Sequence, residues 1–430
     1  MTPSAGVAPA MESNLRWIPV HEALTRALVW IPIFVLFTQV RFGLHGALRL
    51  AAFYYLFVVV MEVPSGWMSD RLGRVPTLRL AAVSWIVAQV CFLVGDDRFL
   101  VIMAGQFFLA GGFAALSGTD VAFHYDTLEA LGQAEEYRHR RAVVAGIGYA
   151  ATAVSALVGG LLGLIDLRLA FAASLALTLV QLAVALRLVE PPVVEGPLSG
   201  GAEPFFGQLR VSTAYLRNRR LGWIFFYGII LLTLIHVAYT LMQPWLTLLL
   251  GRTPEDFGAT PLYAGVVFAA VSLVGAGAAR LSAPLGARFG TTPTLIGFAA
   301  LSAAIVTSMA LWVHVAVLAL VLFRSAQGAA APVLISATVA PMVQQGHRAT
   351  FLSLNSLAGR LGYGLILLFV ADTPSASEVV GVLAWFSVTS WVMVAVLILT
   401  AIAVRDRSAV LRKSATSSEK GGSPPALRPS

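Results

Sequence analysis

Runs of about 18–25 apolar residues recur along this chain between short polar turns, each long enough as a helix to cross a ~30 Å hydrocarbon core. That repetition leaves few folds open. In lipid every backbone N–H and C=O must be satisfied within the protein, so spanning segments are helices or closed barrels. A barrel would need short segments alternating apolar and polar residues, and the chain has long continuous runs instead. Of the 430 residues, 58% are hydrophobic and 12% charged, with a mean hydropathy of +0.82. No soluble domain of this length has that balance. The expectation is an all-α polytopic membrane protein.

Twelve spans are predicted, over 17–40, 46–65, 77–95, 99–126, 142–164, 168–188, 221–250, 261–283, 293–313, 314–341, 349–370 and 379–403. Residues 1–16 read as a small-residue tail, disordered and cytoplasmic, and 405–430 as a second such tail, rich in Ser, Pro and Arg. Between two bundles of six spans, 17–188 and 221–404, lies a hydrophilic linker over 189–220. It opens on Pro191-Pro192. Phe205, Leu209 and Leu216 then recur near helical spacing ahead of Arg217, Arg219 and Arg220, which predicts an amphipathic helix on the inner leaflet.

The net charge of +8 reports topology rather than a nucleic-acid partner. Of 29 Lys and Arg, 22 fall in the termini, the even-numbered loops or the span ends that adjoin them. Five (Arg41, Arg49, Arg98, Arg168, Arg252) fall in odd-numbered loops or the span ends that adjoin them, and Arg324 and Arg360 lie deep inside spans. Excess positive charge marks the cytoplasmic side, so both termini are expected there. Cys91 stands alone in an apolar run, which excludes a disulfide framework and a cysteine metal site. No cleavable signal peptide is expected, because residues 1–15 lack a basic start and His21, Glu22 and Arg26 interrupt the first apolar run. Arginine outnumbers lysine 27 to 2 beside heavy use of Ala and Gly, a bias of GC-rich bacterial genomes. A bacterial inner membrane is the expected location.

The most specific stretch is the hairpin between spans 2 and 3, Glu62-Val-Pro-Ser-Gly66-Trp-Met-Ser-Asp70-Arg71-Leu-Gly73-Arg74-Val-Pro-Thr-Leu-Arg79. Its Gly66-x-x-x-Asp70-Arg71-x-Gly73-Arg74 core resembles the loop signature of the major facilitator superfamily. The preceding Glu62-Val-Pro-Ser-Gly resembles a bacterial branch of those permeases. Ser117 to Asp126, with Asp120 and Tyr125-Asp126, and the run from Arg348 to Gly362 are similar to the same branch. An internal echo agrees: Arg71-Leu-Gly73-Arg-Val-Pro-Thr-Leu78 returns as Arg288-Phe-Gly290-Thr-Thr-Pro-Thr-Leu295, 217 residues later. Two pseudo-symmetric six-helix bundles would produce such an echo. Ala287 replaces Asp70 in the second copy, so any latch made by the hairpin is expected to be asymmetric. The resemblance implies a transporter with a central cavity between the bundles. The glycine-rich fifth span (Gly146, Gly148, Gly159, Gly160, Gly163) predicts close helix contact.

Enzyme signatures are absent. There is no phosphate loop, no Gly-x-Ser-x-Gly elbow and no His-Glu-x-x-His, and the seven histidines are scattered. No cofactor and no metal are expected. The informative residues are ionisable groups inside spans, which are costly and face a cavity or a partner. Arg360 lies about 16 Å past Ala349, and Arg324 about 15 Å into its span, both near mid-membrane. With Gln327, Asn355, Tyr54, Tyr55 and Trp30 they form the candidate substrate site. The alternative is structural: either arginine could bond backbone carbonyls, or reach Glu62 or Asp120. Gly66, Asp70, Arg71, Gly73, Arg74 and Arg141 form a candidate gate on the cytoplasmic side, with Asp70 placed to cap a helix of the other bundle. Glu62, Asp120 and Asp126 are candidates for proton coupling, since protonating a partly buried carboxylate weakens its ion pairs.

Three functions are compatible with this pattern. One is a secondary transporter working by alternating access, with proton-coupled efflux of amphipathic compounds. Another is an organic-anion uniporter or exchanger using the mid-membrane arginines. The third is a non-transporting sensor or scaffold. The expected partners are a small-molecule substrate, protons in the first reading, and lipid, with the chain acting as a monomer.

Overall fold

The computed structural model describes residues 7–192, 210–211, 213–373 and 378–420. Among these the chain is helical throughout its regular structure, with no strand. Ten helices are long and apolar enough to cross a membrane, and an eleventh crossing is the bent pair Thr260–Gly275 and Arg280–Phe289, which meet at 54°. One of the ten runs from Ala8 to Glu62, 55 residues, or about 80 Å of helix, more than twice a hydrocarbon core. It is broken at Gly43, whose φ of 67° is open to glycine at little cost. Each piece is long enough to cross alone, so the described helices are consistent with twelve crossings, an even number that brings both ends of the described chain to one face.

The boundaries differ from the sequence reading where polar residues are used structurally. The first helix begins at Val7, not 17. Asn14 is fully buried, its amide donating to Val189 O at 2.8 Å and accepting from Val189 N at 3.0 Å. A side chain that reads as tail thus ties the first span to the end of the sixth. Span 1 is not one helix: Val7–Arg26 ends, Ile31–Ile33 forms a 3-10 turn at Pro32, and the helix resumes at Phe34. Span 4 breaks at Gly118 (φ 78°) into Phe99–Leu116 and Thr119–Ala130. Span 10 tightens to a 3-10 turn over Leu322–Ser325 between Val317–Val321 and Ala326–Val339. The last helix runs from Val379 to Lys420, its membrane-spanning part ending at Val404. Of the expected amphipathic helix, Phe205 and Leu209 lie outside the described residues, while 210–211 and 213–214 are helical and Tyr215–Arg217 is a 3-10 turn leading into span 7. Of the expected tails, 7–16 and 405–420 are helical, and 1–6 and 421–430 lie outside the described residues.

The echo read from the sequence appears in the backbone. Gly73 (φ 102°, ψ 166°) joins spans 2 and 3, and Gly290 (φ 85°, ψ 153°) joins spans 8 and 9. Arg74–Val94 and Thr291–Leu311, 21 residues each, follow them. Thr77 Oγ1 donates to Gly73 O at 2.8 Å, and Thr294 Oγ1 to Gly290 O at 2.7 Å. Each half has its own apolar cluster, one around Phe34, Trp85, Phe92 and Phe171, the other around Trp223, Tyr227, Leu295 and Phe351.

A third cluster is shared, with Leu44, Leu48, Ala52, Tyr55 and Ala156 of the first half packed on Val237, Trp245, Ala264 and Leu367 of the second. It lies toward the face opposite the termini. There Arg49 pairs with Asp372 at 2.5 Å, and His45 Nδ1 meets Ala371 O at 2.6 Å. A Cβ added at Gly160 would lie 2.7 Å from Pro261 O, and one at Gly265 would lie 2.5 Å from Ala156 O. Spans 5 and 8 therefore touch backbone to backbone, and this face is shut.

Candidate functional site

A cavity of about 570 Å³ lies between the halves beneath this seal. Spans 1, 2, 4, 5, 7, 8, 10 and 11 all reach it, and its walls are mainly aromatic and aliphatic. Of the residues singled out from sequence, Trp30, Tyr54, Tyr55, Arg324 and Arg360 line it. Trp30 stands edge-on to Phe34 (5.3 Å between centroids), Tyr54 to Tyr55 (5.3 Å) and Tyr55 to Tyr363 (4.9 Å). Such edge-to-face pairs favour fixed ring positions.

Gln327 and Asn355 do not line it. The fully buried Gln327, its nitrogen turned toward the carbonyls, donates to Phe323 O at 2.7 Å and Arg324 O at 2.9 Å. Asn355 Nδ2 donates to Phe225 O at 2.5 Å, so it binds span 11 to span 7. Both amides satisfy backbone groups that lipid or a broken helix would leave unpaired.

The two mid-membrane arginines have different surroundings. Arg360 pairs with Glu62 across the halves. It borders both the central cavity and a second one of about 390 Å³, lined by Glu62, Ser65, Gly66, Ser117, Ser353 and Ser356. This small, hydroxyl-lined vestibule shares Arg360 with the central cavity, so the Glu62–Arg360 pair stands between the two. Arg324 forms no ion pair among the described residues. Its guanidinium lies 4.7 Å from the Phe268 ring centroid and 5.3 Å from that of Tyr239.

The three carboxylates named as candidates for proton coupling occupy separate pairs. Glu62 has Arg360. Asp120 accepts from Arg141 at 3.3 Å, which also reaches Glu22 at 3.3 Å, while Glu22 pairs with Arg26 at 3.1 Å. Asp126 takes Arg74 at 3.3 Å. Apart from Glu62, which pairs with Arg360, the described side-chain partners of Ser69 and Arg74 in the hairpin belong to the first half. Arg74 donates to Ser69 Oγ at 2.8 Å, and the backbone N–H groups of Arg74 and Val75 donate to Glu190 at 2.6 and 2.7 Å. Glu190 thereby caps span 3, where an acid complements the helix dipole. A Cβ at Gly73 would lie 2.9 Å from that carboxyl group, which the Glu190 side chain can relieve by shifting, so the hinge needs glycine for its φ of 102°. Arg71 is exposed and Gly66 borders the vestibule. The Asp70 side chain, expected to cap a helix of the other half, lies outside the described residues.

Sequence reasoning missed several wall residues. His236, Tyr239 and Gln243 recur at helical spacing on one face of span 7 and all reach the cavity, as do Gln106, Phe268 and Ser272. The spacing on span 7 was the available signal. Gln243 does more than line the wall: its Nε2 donates to Ile31 O at 3.0 Å and its Oε1 accepts from Leu36 N at 2.9 Å. The break in span 1 frees those two backbone groups, and a glutamine of the other half satisfies both.

Two bundles of six membrane helices around a cavity at their junction define a polytopic membrane transporter. Residues 22–254, more than half of the chain, match the model of the Major Facilitator Superfamily, and the chain belongs to that family. Its fold aligns with a crystal structure of a mutant of the nucleoside transporter NupG, with TM-score 0.76, 13% identity, and coverage of 90% of this chain and 99% of that one. It also aligns with a POT family transporter in complex with 5-aminolevulinic acid (TM-score 0.69, 11% identity, 92% and 99% coverage). A peptide transporter POT in complex with sulfate gives TM-score 0.69, 12% identity, and 93% and 99% coverage. At these identities the likeness is one of fold. No curated protein sequence matches the chain.

Proposed function

We propose that the chain is a secondary transporter of a small solute, working by alternating access in a bacterial cytoplasmic membrane with both termini inside, in the permease branch its Glu62-Val-Pro-Ser-Gly66 stretch resembles. The observation that carries this is the placement of the cavity between the halves, sealed on one face by cross-half packing and bordered on the other, at Arg360, by the hydroxyl-lined vestibule. Such a site is exposed to the two sides in turn if the halves rock about it. Trp30, Tyr54 and Tyr55 serve as its aromatic walls, and Arg324 and Arg360 as its charged groups. Gln327 and Asn355 support it indirectly, through backbone groups of spans 10 and 7.

The gate in this reading is a set of ion pairs rather than one latch. Glu62–Arg360 links the halves at the mouth of the cavity, while Arg141 with Asp120 and Glu22, and Arg74 with Asp126, brace the first half as it moves. Gly66 and Gly73 let the hairpin turn, and Asp70 and Arg71 stand at its tip. Glu62 is the favoured proton-coupling group among the three carboxylates, because its partner belongs to the other half. Protonating it releases the cross-half pair, whereas protonating Asp120 or Asp126 loosens contacts within one half.

Purified protein reconstituted in liposomes is expected to carry a bound solute saturably, with flux accelerated by the same solute on the far side. A solute that binds the cavity yet never crosses would contradict transport and favour a sensor on the same fold.

A further inference from the structure

Resting on the transport reading, the central cavity also carries information about its substrate. Arg324 is only 8% exposed, and arginine keeps its charge under all ordinary conditions. Its Nε is buried without a hydrogen-bond partner. The aromatic faces of Phe268 and Tyr239 give a cation–π contribution smaller than the cost of burying a charge. No span of the second half supplies a carboxylate to it, because between Leu221 and Val404 the Asp and Glu residues, Glu255, Asp256, Asp372 and Glu378, all lie in loops. The buried carboxylates of the first half are engaged elsewhere: Glu62 by Arg360, and Glu22 and Asp120 by Arg141. A charge in a membrane-depth cavity that lacks its counter-ion in the chain calls for one from a ligand.

The rest of the cavity limits what that ligand is. Arg324 and Arg360 are the charged residues that line it, and Glu62 neutralises the second, leaving room for one negative charge. Phe34, Tyr54, Phe113 and Phe268 supply flat apolar walls. The volume of about 570 Å³ falls in the range of small-molecule sites, roughly 300–1,000 Å³.

We infer that the cavity takes a small aromatic acid with a single negative charge, its carboxylate on Arg324 and its ring among the aromatic walls. The same guanidinium that is unpaired when the site is empty then gains two charge-assisted hydrogen bonds in fork geometry.

The probes that test this share one ring system and differ in charge: indole-3-acetate, its neutral amide and the cation tryptamine. Thermal unfolding of the purified protein reports binding without requiring transport. The acid is expected to raise the melting temperature saturably, with an apparent affinity at least about tenfold better than that of the amide or the amine, since a hydrogen bond to a charged group contributes about 1.5–3 kcal/mol. R324Q should erase that preference and R324K should retain part of it. A further variant, S272E, places a carboxylate on the cavity wall one helical turn from Phe268. It should raise the melting temperature of the empty protein and abolish the response to the acid. If R324Q does not fold, the wild-type charge series and S272E decide. Equal responses to acid and amide, no response to any probe, or an undiminished preference in R324Q would overturn the inference. Saturable flux of another solute class would sink this assignment and leave the transporter intact, whereas acid binding without flux would do the reverse.

Discussion

Replacing Gly160 with Leu is expected to abolish transport while leaving a folded protein. A side chain at this position meets the backbone of Pro261, Leu262 and Gly265 within 2.7–3.2 Å, and no rotamer change relieves a clash with backbone. Spans 5 and 8 would have to separate. Overpacking of this kind costs about 1–3 kcal/mol even where neighbours yield, and here they belong to the other half, so the cost falls on the sealed state alone. A shift of about 3 kcal/mol lowers the population of that state roughly 100-fold. Each half keeps its own apolar cluster, which is why folding should survive. In a C91S background with a single cysteine at Ala264, a buried position of the shared cluster, an impermeant thiol reagent applied from the face opposite the termini should label G160L and spare the parent. Wild-type flux in G160L, or equal labelling, would show that the contact is not part of the cycle.

The second large effect concerns the cross-half pair. Glu62 and Arg360 side chains are 13% and 29% exposed, so water screens the pair only partly. Removing one member of such a pair leaves an uncompensated charge, a loss of about 3–5 kcal/mol in a fully buried setting and somewhat less here. E62Q and R360Q are each expected to lower both the melting temperature and the flux. The double variant E62Q/R360Q should be closer to wild type in stability than the sum of the two losses, with a coupling of about 1–3 kcal/mol. Flux separates the roles: E62Q mimics the protonated carboxyl group, so the part of the flux that depends on a proton gradient should vanish with it. Additive stability losses would mean that the pair is not an energetic unit. A proton-driven component that persists in E62Q would move coupling to another group.

Much of the fold was legible because the membrane restricts what a chain can do. Apolar run length gave the crossings, and the echo of Arg71–Leu78 in Arg288–Leu295 gave the two halves, down to matching glycine hinges at Gly73 and Gly290. Arg324, Arg360, Tyr54, Tyr55 and Trp30 stood out by being polar or aromatic at depth, and all five line the cavity. What could not be read was which partner each polar group takes. Gln327 and Asn355 are as deep as the arginines, yet they bond backbone carbonyls, a choice set by the 3-10 turn of span 10 and the approach of span 7. Asn14 reads as tail because its partner, Val189, is 175 residues away. Glu190 reads as linker although it caps span 3. Phe268 and Ser272 gave no signal, since one aromatic and one serine in an apolar span do not reveal the face they occupy.

Alternating access requires the face opposite the termini to open and close in every cycle. Thiol cross-linking of R49C and D372C in a C91S background tests it, because these residues join spans 2 and 11 across the halves where Arg49 and Asp372 pair at 2.5 Å. With a short cross-linker that bonds both cysteines through reducible disulfides, flux into liposomes should fall to background and return when the link is reduced. Undiminished flux with the link in place would contradict alternating access through this seal.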